Sequence, residues 1–270
     1  MNTLLVLTDF TPAADNALHY ATGLAASLQA HLLLLHVQPG LLSPDAFTGK
    51  YPSRSESELQ ALLDERCARA ETSGVACASE LASGSVGDTV AKAARRHHAL
   101  LAIAGKPNTQ ETQDELVDSA SLDLVRDTPC PVLVVPESYA SAQLPARLLL
   151  ATDLSDIDFG NSVVNANALL RHWQPAVTVA YVADADNPNE LAVGATHLAP
   201  LLRDVSQVQV QHFRHSDAEE GLLAAAQSVQ ADWLLLVARQ RSRLSLMFNN
   251  SVTAKVLLHS PVPVLVVAEA

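Results

Sequence analysis

The segment Leu4-Leu5-Val6-Leu7-Thr8-Asp9 returns as Leu148-Leu149-Leu150-Ala151-Thr152-Asp153, 144 residues later. Pro129-Cys130-Pro131-Val132-Leu133-Val134-Val135 returns as Pro261-Val262-Pro263-Val264-Leu265-Val266-Val267, 132 residues later, and Ala99–Ala104 matches Ala231–Leu236 at that same offset. Three matches in the same order make this chain of 270 residues two copies of one unit, a length that suits two domains of about 130 residues. The offsets differ by 12, so copy two lacks 12 residues in its first half. Copy one is assigned to residues 1–140 and copy two to 147–270, with the linker falling between Tyr139 and Arg147.

Within copy one, short apolar runs alternate with helical patterns. Leu4–Thr8 predicts a strand, and Thr11-Pro12 opens a helix with Thr11 as its cap and Pro12 in its first turn. Ala14, Ala17, Leu18, Ala21, Leu24, Ala25 and Leu28 then recur at helical spacing. A strand over His31–Val37, a loop from Leu41 to Arg54, a helix over Glu56–Ser73 and a strand over Val75–Leu81 follow. A helix over Val86–His98, a strand over Leu100–Ala104, a helix near Ser121–Arg126 and a strand over Val132–Val135 complete the unit. Copy two repeats this order. Ser155 is expected to cap its first helix, and a helix is expected over about 189–204. Strand–helix alternation calls for right-handed crossovers and a parallel sheet. The fold class is α/β: two tandem doubly wound domains, each a five-stranded parallel sheet in the order 3-2-1-4-5 with helices on both faces. Composition agrees, because hydrophobic residues make up 49% and aromatics only 4%, leaving Ala, Leu and Val to build the core.

The net charge of −12 divides as −8 over residues 1–140 (9 basic, 17 acidic) and −4 over 141–270 (8 basic, 12 acidic). Such a field repels nucleic acid and anionic membrane surfaces, so neither is expected as a partner. No apolar run reaches the ~18 residues of a membrane span, and the N-terminus lacks a basic leader segment. Cys67, Cys77 and Cys130 show no CxxC spacing and read as reduced thiols of a cytoplasmic protein.

In a doubly wound sheet, ligands bind beyond the carboxyl ends of the strands where the strand order reverses. In copy one that crevice lies between strands one and four, among Thr8, Asp9, Val37 and Gly105, and the loop from Gly105 to Ser121 closes over it into a helix N-terminus. The Thr-Asp strand end and the Pro-Val-Leu-Val-Val strand, each present twice, resemble the universal stress protein family over essentially the whole chain. That family's signature adds Gly-x2-Gly-x9-Gly-Ser/Thr between strand four and the last helix. The resemblance implies a domain of the adenine nucleotide alpha hydrolase-like type. It implies an adenine nucleotide in the crevice, with the Asp near the adenosine, the strand-two backbone against the base and the glycine loop on the ribose and phosphates. Carried onto this chain, the nucleotide candidates are Thr8, Asp9, Val37, Gly105, Asn108, Ser119, Ala120 and Ser121 in copy one. In copy two they are Thr152, Asp153, Val182, Asn250, Ser251, Val252 and Thr253.

The glycine loop departs from the signature while keeping its spacing. In copy one its positions hold Gly105, Asn108 and Asp118-Ser119; in copy two they hold Val237, Gln240 and Asn250-Ser251. Glycine lets backbone N–H groups approach a phosphate with no Cβ in the way. Asp118 instead brings a carboxylate, and two unit charges ~4 Å apart repel by roughly 4 kcal/mol at an effective dielectric of 20, about three decades in affinity. Lys106 is expected to offset part of this, and Val237 to stand where a ribose would pack.

Each candidate also has a plain structural reading. Asp9 and Asp153 suit a turn or capping carboxylate, Ser119 and Ser251 suit helix caps, and Gly105 suits a tight turn. His36 reads as a strand residue, His97-His98 as a helix end, and His212 and His215 lack partners for a metal. Arg239, Arg241 and Arg243 read as a solvated loop or an anion contact. No G-x-S-x-G elbow and no Walker lysine is present. The expectation is therefore a non-enzymatic regulatory or binding module without catalytic residues or a metal site. The alternative is a sensor holding ATP or AMP, with Mg, in one domain and hydrolysing slowly at most. The resemblance implies an internal pseudo-dimer in which Val132–Val135 pairs with Val264–Val267, apolar terminal strands that would otherwise be open edges. A further homodimer and an unidentified protein partner are left open. A flavoprotein-like enzyme shares only the fold class.

Overall fold

The computed structural model describes residues 2–39, 54–108, 124–125, 128–141, 143–153, 157, 159, 162–184, 196–238 and 252–269. Copy one runs β1 (Thr3–Leu7), α1 (Pro12–Leu28), β2 (His31–Pro39), α2 (Glu56–Glu71), β3 (Cys77–Gly84), α3 (Val86–Arg96), β4 (Ala99–Lys106) and β5 (Val132–Pro136). Copy two runs β6 (Arg147–Thr152), α4 (Ser162–Trp173), β7 (Ala176–Ala183), α5 (Ala199–Leu202), β8 (Val208–Arg214), α6 (Ala218–Ser228), β9 (Trp233–Ala238), α7 (Val252–His259) and β10 (Val264–Ala268). Leu4, Leu5 and Val6 are all fully buried, as expected of a strand covered on both faces.

The strands form one ten-stranded sheet in the order β3-β2-β1-β4-β5-β10-β9-β6-β7-β8. Each half is parallel and has the anticipated 3-2-1-4-5 order. The halves join where β5 and β10 pair antiparallel, with Val134 opposite Val264, Leu133 opposite Leu265 and Val132 opposite Val266. These strands are apolar and terminal in each copy. Left unpaired they would present open backbone edges, and each satisfies the other.

Consecutive strand residues point to opposite faces, which gives two core layers. Leu4, Val6, Leu148 and Leu150 enter the layer under α1, α2 and α4. Leu5, Leu33, Leu149 and Leu234 enter the layer under α3, α6 and α7. Both layers run continuously through the two copies. Aromatic side chains stitch the seam. Trp233 Nε1 donates to the Tyr20 hydroxyl at 2.6 Å, Tyr20 donates to the Gln143 carbonyl at 3.3 Å, and Tyr139 and Trp173 pack edge-on against Tyr20 and Trp233.

Local signals behave as chemistry dictates at α1 and α2. Thr11 Oγ1 accepts from Ala14 N at 3.3 Å, and Ser55 forms a full capping box with Glu58. Two expectations change, and a third falls mostly outside the described residues. Cys67 and Cys77 are not free thiols but a disulfide, with Cα atoms 5.1 Å apart; Cys130 is free and buried. Spacing alone hid the pair, because the helix and the following strand bring together residues ten apart. The helix expected over 189–204 is described only at its end, where α5 spans four residues. The first helix of copy two begins at Ser162, not after Ser155, which lies outside the described residues.

Candidate functional site

In copy one the strand ends converge around Thr8. Its N–H extends the ladder to Leu35 O at 2.9 Å, and its Oγ1 accepts from Phe10 N at 3.1 Å. Asp9 Oδ1 accepts from Thr11 N at 3.0 Å and from Thr11 Oγ1 at 2.5 Å. Asp9 thus closes the turn that launches α1, and its second oxygen makes no hydrogen bond among the described residues. Phe10 sits at φ 67°, a left-handed conformation that costs a non-glycine residue roughly 1–2 kcal/mol. Its ring is contacted by three side chains. His36 stacks at 4.5 Å between centroids, and the guanidinium carbons of Arg66 and Arg54 lie 5.0 and 5.7 Å from the ring centre. Arg66 is buried and forks onto Asp15, with Nε to Oδ1 at 2.6 Å and Nη2 to Oδ2 at 3.2 Å. His36 Nδ1 lies 2.7 Å from Thr8 O. A carbonyl only accepts, so Nδ1 carries the proton and Nε2 is the acceptor in the neutral ring. Burial holds the His36 pKa below its ordinary value, against the upward pull of that carbonyl.

The remaining copy-one candidates separate. Val37 lies within β2 opposite Ala82 and packs into the core layer of α3. Gly105 is not a loop glycine. It lies within β4 opposite Val135, and a Cβ there would stand 2.2 Å from Ala13 O and 2.4 Å from Ala13 C. Its missing side chain lets the first turn of α1 rest on the sheet. Lys106 does not face the crevice. It is buried, and its Nζ donates to Leu258 O at 2.5 Å and Ser260 O at 2.9 Å, holding the end of α7 in the other copy. Burial pushes its pKa down to about 8. Asn108 is exposed just past β4, while Ser119, Ala120 and Ser121, like Asp118, lie outside the described residues.

In copy two, Thr152 ends β6 opposite Tyr181, and Asp153 follows it, exposed. Val182 lies in β7 opposite Phe213, close against Gly221 of α6, where a Cβ would meet Val182 Cγ1 at 2.4 Å. Val252 and Thr253 open α7; Asn250, Ser251, Gln240 and the three arginines from 239 to 243 lie outside the described residues.

Val237 occupies the position of Gly105, and the structure answers it. The two first helices end alike, on Gln29 at φ 51° and on Gln174 at φ 48°, yet α1 has 17 residues and α4 has 12. The missing residues are the counterparts of those that rest on Gly105. With a valine there, a helical turn would collide as the Gly105 geometry shows. The chain takes another route. Phe159 bridges antiparallel to Glu269, Ser162 Oγ donates to Ala268 O at 2.7 Å, and Ile157, Phe159, Val163 and Val237 pack against one core layer. Since β9 separates β6 from β10, Phe159, bridged to Glu269, lies on the far side of β9 from the end of β6.

Sequence reasoning missed the Phe10–His36–Arg66–Asp15 cluster. The available signal was Arg66, a charged residue on the apolar stripe of Leu59, Leu63, Cys67 and Ala70. Among the described residues no group of three or more His, Cys, Asp or Glu is placed to hold a metal, and no helix is long and apolar enough to cross a membrane.

Comparison with known proteins places this architecture. The model of the universal stress protein family matches residues 1–136 and again residues 146–268. A search of curated proteins finds no match. Among solved structures, a universal stress protein from Archaeoglobus fulgidus DSM 4304 is similar with a TM-score of 0.73 and 18% identity, covering 99% of this chain and 98% of that one. A putative universal stress protein from Pseudomonas aeruginosa UCBPP-PA14 is similar with a TM-score of 0.61 and 18% identity, covering 100% and 94%. Likeness at that identity shows a shared fold. The two separate family matches, lying on repeats that the strand order reproduces, establish that the chain belongs to the universal stress protein family as a tandem two-domain member.

Proposed function

We propose that this protein is a non-enzymatic regulatory and binding module of the stress response, acting in the cytoplasm, in which copy two serves as scaffold and copy one keeps the open crevice. The carrying observation is the contrast between Gly105, on which the first turn of α1 rests in copy one, and Val237, which stands at its place in copy two. A branched side chain there takes space that a ribose would need. The absence of catalysis is supported by chemistry around copy one. Asp9 is committed to the α1 turn, and His36 is fixed through Nδ1 to a backbone carbonyl. The hydroxyl that Asp9 does contact, Thr11 Oγ1, is the cap of α1, where it accepts from Ala14 N.

A second reading, binding of ATP or AMP by copy one, is favoured by one feature. The first turn of α1 still seats on Gly105, keeping Thr8, Asp9 and the His36 Nε2 acceptor at one mouth. Equilibrium dialysis of the full chain against Mg-ATP, AMP and adenosine tests both readings. The expected result is no more than one site per chain, with affinity weaker than the low micromolar range. Two sites per chain would refute the scaffold role of copy two. Tight Mg-ATP binding with turnover would refute the non-enzymatic reading.

A further inference from the structure

Cys67 and Cys77 join α2 to β3, and what α2 carries next to Cys67 reaches the copy-one crevice. Arg66 precedes Cys67. Its guanidinium forks onto Asp15 of α1 and lies over Phe10, Phe10 stacks on His36, and His36 holds the Thr8 carbonyl. The disulfide is therefore four contacts from the residue at the crevice mouth. A cavity of about 180 Å³ separates α1 and α2, lined by Asp15, Leu18, His19, Arg66, Arg69 and Ala70 among others. The Arg66–Asp15 pair ties α2 to α1 across that groove, and the disulfide, with Gln60 and Asp64 on Ser79, ties it to β3. Cys77 is half-buried at the start of an edge strand, within reach of a solvent thiol, while Cys67 is buried. In a reducing compartment a disulfide so placed turns over rather than persisting as a staple.

We infer that the Cys67–Cys77 pair is a redox-responsive clamp on α2 that sets the position of Arg66 and, through Phe10 and His36, access to the copy-one crevice. The inference rests on the reading that copy one keeps the open crevice. Reduction proceeds by thiol–disulfide exchange with a dithiol. One thiolate attacks the Cys77 sulfur, and Cys67 leaves as a thiolate and takes a proton. The second thiol of the reductant then displaces Cys77 from the mixed disulfide. Two electrons and two protons pass to the protein, and the reductant becomes a disulfide. Oxidised glutathione runs the exchange in reverse. With the clamp open, α2 keeps its buried apolar stripe, the Arg66–Asp15 pair and the Gln60 and Asp64 contacts with Ser79, but loses its covalent tie to β3 beside Arg66, the residue that backs the Phe10 ring.

The test uses the full chain equilibrated with dithiothreitol or with oxidised glutathione. Cys130 stays silent in native alkylation, because it is buried and its thiol pKa is pushed up to about 12. The expected results are alkylation of Cys77 in the reduced protein and of no thiol in the oxidised one. Amide exchange in α2 and β3 should be at least ~10-fold faster on reduction, with β4 and β9 unchanged. The Arg66 Nε–H resonance should shift or vanish. Cys77→Ser, which removes the more accessible sulfur, should match the reduced protein under both conditions. The inference is overturned if no thiol becomes alkylated on reduction or none is protected on oxidation. It is overturned equally if α2 exchange and the Arg66 resonance are the same in both states, or if Cys77→Ser matches the oxidised spectrum. None of these readouts needs a bound nucleotide, so their failure is distinguishable from failure of the dialysis experiment.

Discussion

Gly105 and Val237 stand at one position in two copies, and the difference between them is a Cβ and two methyl groups. In copy one that Cβ would lie 2.2 Å from a helix carbonyl, a contact with no room to relax because both sides are backbone. Gly105→Ala should therefore lower unfolding free energy in urea by about 1–3 kcal/mol, the range of overpacked sites, and lengthening of α1–β4 contacts should accompany it. Tyr20 makes a second prediction. It is 1% exposed, and burial, the largest cause, holds its hydroxyl well above the usual pKa of 10, against the lowering effect of the Trp233 hydrogen bond. Below pH 10 the group is protonated in both folded and unfolded chains. Above it the unfolded chain ionises and the folded one does not, so stability falls as pH rises, by up to about 1.4 kcal/mol per pH unit. Tyr20→Phe should flatten that alkaline limb in denaturant titrations between pH 9 and 11. An unchanged slope would show that other groups set it.

At the scale of elements, the first helix of each copy shows how one side chain redirects a segment. Ile157, Asp158, Phe159, Gly160 and Asn161 are middling to poor helix formers, so local propensity and the side chain of Val237 act in the same direction. Val237→Gly should let the helix extend backward, so that Ile157 and Phe159 acquire helical chemical shifts and the Phe159–Glu269 bridge is lost. Retention of the bridge would mean that Phe159 packing, not Val237, sets the route. The cap of α1 offers a milder check. Thr11 both accepts from Ala14 N and donates to Asp9, so Thr11→Ala should cost about 1 kcal/mol in thermal or urea unfolding.

For the whole molecule, the decisive element pair is β5–β10. The antiparallel seam closes two apolar edges, and the aromatic seam around Tyr20 and Trp233 and the Lys106–α7 bonds reinforce it. A fragment of residues 1–140 keeps an open β5 edge. It should therefore run at twice its mass in light scattering, pairing β5 with β5 of a second fragment as β5 now pairs with β10. A stable monomer would show that β5 needs no partner.

The sequence by itself determined the duplication, the strand order within each copy, the terminal strands that join the copies and the start of α1, because these depend on apolar periodicity and on capping groups acting over a few residues. Only the tertiary structure decided the rest. Gly105 read as a phosphate-loop or tight-turn glycine, and its distance from Ala13 adds a packing role. Lys106 read as a phosphate neighbour until its bonds to Leu258 and Ser260 turned it toward the other copy. Cys67 and Cys77 read as separate thiols, and Val237 as a local obstruction rather than the cause of a rerouted chain. Each of these depends on which atoms a third element brings within a few ångströms, and that distance is set by the packing of the whole sheet rather than by any neighbour in sequence.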